Sequence, residues 1–75
     1  MEDPEEPQGT HFWHMCFLVH NSRGFVAEER AGHWTPPQGM TRFDAMQVIR
    51  GRVVEASPDL ENSALLSFDI QLNQI

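Results

Sequence analysis

The stretch His11-Phe12-Trp13-His14-Met15-Cys16-Phe17-Leu18-Val19-His20 decides the fold. It is rich in aromatic and branched residues and too short for a comfortable helix. It runs into Asn21-Ser22-Arg23-Gly24, a turn sequence in which Gly24 is free to take a positive φ. Its odd positions Trp13, Met15, Phe17 and Val19 are all apolar, and its even positions include Phe12, Cys16 and Leu18. Successive side chains of a strand point to opposite faces, so a strand apolar on both belongs at the centre of a sheet.

The neighbouring segments supply the rest of the sheet. Phe25 to Trp34 (FVAEERAGHW) reads as the return strand of a hairpin, although its Ala-Glu-Glu-Arg-Ala centre also fits a helical turn. Trp34-Thr35-Pro36-Pro37-Gln38-Gly39 then breaks regular structure, because neither proline can donate to a ladder. A helix begins near Thr41, where Thr41-Arg42-Phe43-Asp44 has capping-box spacing. Phe43, Met46, Ile49, Val53 and Val54 recur at helical spacing and predict one apolar face. Gly51 weakens this helix without ending it, and Ser57-Pro58 ends it. Asp59 to Ser63 is a polar loop. From Ala64 to Asn73 the chain alternates, with Leu66, Phe68, Ile70 and Leu72 on one side and Ser67, Asp69, Gln71 and Asn73 on the other.

The order is β-β-α-β. Placing the last strand beside the first keeps every pairing antiparallel, whereas placing it beside the second requires a parallel pair. The expected fold is therefore α+β: a three-stranded antiparallel sheet of order 2-1-3 with one helix on one face. That helix should meet the odd side of the first strand. Phe12, His14, Cys16, Leu18 and His20 then lie on a face that nothing in the chain covers, and contiguous apolar surface of this kind marks interaction sites. Trp34, at the end of a strand before a double proline, either caps the edge of the core or anchors a contact, and is the sixth candidate for partner binding.

Composition narrows the function classes. The 75 residues are 40% hydrophobic with a formal net charge of −6, enough for one small domain that benefits from a staple. The single cysteine, Cys16, cannot form an internal disulfide, which leaves association with a second copy or a partner as the staple, or a metal. Glu2, Asp3, Glu5 and Glu6 concentrate charge in the first six residues, so residues 1–9 read as a disordered acidic tail, solubilising or docking, and residues 10–75 as the domain. The five cations, Arg23, Arg30, Arg42, Arg50 and Arg52, make no basic stripe, which disfavours nucleic acid. The acidic N-terminus lacks a secretory signal and the apolar run from Phe12 to Val19 is too short to span a membrane, so a cytoplasmic protein with a reduced thiol is expected.

The sharpest chemical constellation is His14, Cys16 and His20. His14 and Cys16 lie about 6.5–7 Å apart on one side of a strand and suit a shared metal or a thiol–imidazole pair. Zinc sites, however, carry tighter spacings such as C-x-x-C, and no third group is placed to orient an imidazole. The histidines and Cys16 therefore read as packing groups, no cofactor is expected, and an enzyme is disfavoured. The expectation is a non-enzymatic protein-interaction module, a small homodimer or an accessory subunit, using the helix-free sheet face. The alternative is a small-ligand or metal-binding protein with His14, Cys16 and His20 at a subunit interface.

Gly39-Met40-Thr41-Arg42 opening the helix, and the closing strand Leu66-Ser67-Phe68-Asp69-Ile70-Gln71-Leu72-Asn73, resemble short uncharacterised proteins of actinomycetes. The resemblance extends over residues 11–73. It implies a compact β-β-α-β module from a high-GC bacterium, agreeing with a chain whose cations are all arginine, and it carries no activity.

Overall fold

The computed structural model describes residues 8–75, with strands β1 (His11–Asn21), β2 (Gly24–Trp34) and β3 (Ala64–Leu72), helix α1 (Arg42–Ala56) and a single 3₁₀ turn at Pro58–Leu60. The sheet has order β2-β1-β3 and both pairings are antiparallel. The β-β-α-β arrangement and the central place of β1 are those its two apolar sides require. The acidic residues 1–7 lie outside the described residues, as does most of the tail assigned to 1–9. Gln8 and Gly9 are described: Asn73 Nδ2 donates to Gln8 Oε1 (2.9 Å) and to the Gly9 carbonyl (3.1 Å).

The β1–β2 hairpin turns through Ser22 and Arg23. Asn21 Oδ1 accepts from the Arg23 amide (2.8 Å), and Gly24 takes φ +124°. Such an Asx turn with a glycine beside it closes a short loop without placing a side chain in a forbidden conformation. Helix α1 starts where Thr41, in extended conformation, accepts the Asp44 amide on its hydroxyl (3.1 Å). This satisfies one of the amides that a helix start otherwise leaves without a partner. The helix ends at Ala56, before Ser57-Pro58.

The core forms between the odd side of β1 and the helix. Met15 and Phe17 are fully buried against Ala45, Ile49, Val53, Leu60 and Ile70. Two details differ from the sequence expectation. Phe43 is 63% exposed; it precedes Ile49 by six residues, which at about 100° per residue puts it about 120° off the buried stripe. Small Ala45, four residues before Ile49, takes the inward place instead. In β3, Leu65 rather than Leu66 pairs with Phe17 and packs on the core, because the register shifts between Cys16 and Phe17. One extra residue reverses the alternation, so Leu66 is exposed while Phe68 and Ile70 still face the helix. Leu72 shares that side but lies 68% exposed opposite His11, at the end of the sheet.

Candidate functional site

The helix-free face is built on the even residues of β1. Phe12, His14, Cys16, Leu18 and His20 are flanked on β2 by their register partners His33, Ala31, Glu29, Ala27 and Phe25. On β3 the partners are Gln71 for Phe12, Asp69 for His14, Ser67 for Cys16 and Ala64 for Leu18. Phe12 is 46% and Phe25 68% exposed, and Ala27, Ala31 and Ala64 are exposed as well. No helix or loop among the described residues lies over this face, whereas the opposite side of the same strand is sealed. The first five candidate residues therefore share one surface.

The polar groups on that surface are dispersed. His14 Nε2 stands 3.7 Å from Glu29 Oε1. The His20 ring instead packs on Phe25 across the hairpin, with centroids 4.9 Å apart at 47°. Cys16, a free thiol, is half-buried between His14 and Leu18. His14 thus meets a carboxylate rather than the thiol, and His20 is occupied by an aromatic neighbour. Among the described residues no group of three or more His, Cys, Asp or Glu side chains is arranged to hold a metal ion.

Trp34 lies on the other side. Its register partner is His11, on the helix-facing row, and it packs against the core with the Arg52 guanidinium 5.4 Å from its ring centroid. The reading as a cap on the core fits this placement. Counting pairs outward from the Asn21–Gly24 turn puts position 34 opposite position 11, and this count also adds Phe25, Ala27, Glu29, Ala31 and His33 to the open face.

The sheet edges differ from the face. The Asn73 amide donates to the Thr10 carbonyl (2.8 Å), so alternation directs the backbone groups of β1's even residues to β3 and those of its odd residues to β2. Glu29 and Ile70 then present their carbonyls outward from the two edges. Each carries an arginine: Arg30 Nη1 donates to the Glu29 carbonyl (2.8 Å) and Arg42 Nη1 to that of Ile70 (3.2 Å). Arg50 Nη2 likewise donates to the Ser63 carbonyl (3.0 Å), just before β3. Charged groups on outward carbonyls are how edge strands resist pairing with another chain.

No protein-family model matches the chain, and comparison with curated proteins and with solved structures returns no match. Among the described residues no helix is long and apolar enough to cross a membrane. The surface itself therefore carries the functional argument.

Proposed function

We propose that this chain is a non-enzymatic interaction module whose helix-free sheet face pairs with the same face of a second copy. The observation that carries the reading is the contrast between the two sides of β1. Met15 and Phe17 have no exposed surface, while their neighbours Cys16 and Leu18 have no element among the described residues above them. Two-layer domains become stable when each apolar face is covered, and a face packed on its own copy is the simplest symmetric solution.

Area supports a second copy. Strands of 11, 11 and 9 residues at about 4.8 Å spacing and about 3.3 Å per residue give a flat footprint of about 500 Å². Side-chain relief enlarges that toward the ~800 Å² that each partner buries in an interface of standard size. The arginines on the outer carbonyls favour face-to-face packing over edge-to-edge extension. The face is mixed and sparsely charged: Phe12, Cys16, Leu18, Phe25 and three alanines lie among His14, His20, His33, Ser67 and Gln71, with two carboxylates, Glu29 and Asp69.

Sedimentation equilibrium of the full chain at micromolar concentration tests the reading. A two-fold mass is expected. A folded monomer throughout that range overturns it.

A further inference from the structure

The open sheet face carries fixed charge of one sign. Its carboxylates are Glu29 and Asp69, and its basic groups are the imidazoles of His14, His20 and His33; none of the five arginines belongs to its rows. The two carboxylates differ in what meets them. Asp69 accepts from Gln71 Nε2 (2.9 Å) and has Arg42 Nη2 at 3.9 Å, reaching round the edge from α1. For the Glu29 carboxylate, the one potential cation within 4 Å among the described residues is the His14 ring, with Nε2 3.7 Å from Oε1. The adjacent Arg30 is turned elsewhere, onto the Glu28 carboxylate (3.1 Å) and the Glu29 backbone carbonyl (2.8 Å).

His14 stands at the middle of this pattern. On β2 it faces Ala31 in register, with Glu29 and His33 on the two diagonals; on β3 it faces Asp69 in register; along β1 its same-side neighbours are Phe12 and Cys16. The other two imidazoles are engaged away from the carboxylates. The His20 ring packs on Phe25 at the hairpin end, and His33 Nδ1 accepts from the Gly9 amide (2.9 Å), which occupies the lone pair that a proton would take. Between about pH 6 and 7.5 imidazoles change charge while carboxylates and thiols keep theirs. The charge beside Glu29 therefore depends on pH, whereas the guanidinium beside Asp69 is permanent.

We propose that the His14–Glu29 pair is a pH switch on the association of two such faces, an inference that rests on the face-to-face pairing put forward above. Pairing takes the Glu29 carboxylate out of water. With His14 neutral, that charge is buried without a partner, which is strongly unfavourable. With His14 protonated, the two groups enter the interface as an ion pair. Association is then coupled to proton uptake, up to one proton per copy, and it tightens as the pH falls.

Sedimentation velocity of the full chain over a concentration series gives the dimer Kd at about pH 6 and about pH 7.5, a window in which imidazoles are the side chains that titrate. The wild-type Kd is expected to be at least about tenfold larger at the higher pH. Glu29→Gln removes the carboxylate and keeps its shape, so it should pair at the higher pH as tightly as wild type does at the lower, with the pH dependence lost. His14→Gln should pair weakly at both, and His20→Gln should keep the wild-type dependence. Equal wild-type Kd values at the two pH values, with a dimer present, overturn the switch and leave the pairing standing. A folded monomer at both overturns the pairing and the switch with it. A dependence that survives His14→Gln or Glu29→Gln overturns the switch in favour of another group on the face.

Discussion

Trp13 lies against Gly32 of the neighbouring strand: a Cβ placed on Gly32 would stand 2.9 Å from Cζ2 of the indole and 3.1 Å from its Nε1. The two are register partners in the β1–β2 ladder. A glycine inside a strand weakens it, and an aromatic ring laid over the gap from the partner strand compensates. Gly32→Ala is expected to destabilise the protein by about 1–3 kcal/mol, since the new methyl forces the ring from its place. Urea unfolding followed by tryptophan fluorescence measures this. An unchanged midpoint would show that the ring swings aside freely.

Gly51 gives the opposite expectation. It lies inside α1, is exposed, and has nothing within 4 Å of the position a Cβ would take. Its φ is not positive, so an alanine fits the backbone. Gly51→Ala should therefore stabilise the fold by about 0.5–1 kcal/mol through helix propensity alone. Thermal melts followed at 222 nm should show a higher midpoint, and a lower one would mean that the open side of the helix is in contact with something.

Phe17 is where the fold is most vulnerable. It is fully buried and packs with Met15, Ile49 and Leu60 in a core of seven buried side chains among the described residues. Truncating a buried phenylalanine costs about 3–5 kcal/mol, comparable with the whole stability of a small domain. Phe17→Ala should be largely unfolded at 25 °C, as judged by far-UV circular dichroism and narrow amide dispersion. A cooperative melt above 45 °C would show that another part of the molecule holds the fold.

The parts of this architecture legible in the sequence are those set by local periodicity. The period-two pattern of β1 placed it centrally, and its even residues identified the open face. Thr41 and Pro58 bounded the helix because capping and proline sterics act within a few residues. What was not legible depends on register and on how elements cross. The shift opposite Cys16/Phe17 exchanges Leu65 for Leu66, and no residue in that apolar run announces it. The contact of the Arg52 guanidinium with the Trp34 ring depends on where the end of α1 stands relative to β2, a matter of helix placement that neither segment's own pattern contains.

Leu18 provides the most direct check on the interaction face. It sits on the even row of β1 between Ala27 of β2 and Ala64 of β3, half-buried within one copy and facing away from the helix. Leu18→Glu leaves the core on the other side untouched, so the isolated fold should survive with its circular dichroism unchanged. In a face-to-face pair the carboxylate would be desolvated without a cation to meet it. The expected penalty is at least about 3 kcal/mol, more than a hundredfold in Kd. Phe43→Ser is the matched control, since Phe43 is also an exposed large apolar residue but sits on α1. Sedimentation velocity should show Leu18→Glu as a monomer at concentrations where wild type and Phe43→Ser remain paired. If Phe43→Ser dissociates the pair and Leu18→Glu does not, the contact runs through the helix side and the open sheet face has another occupant.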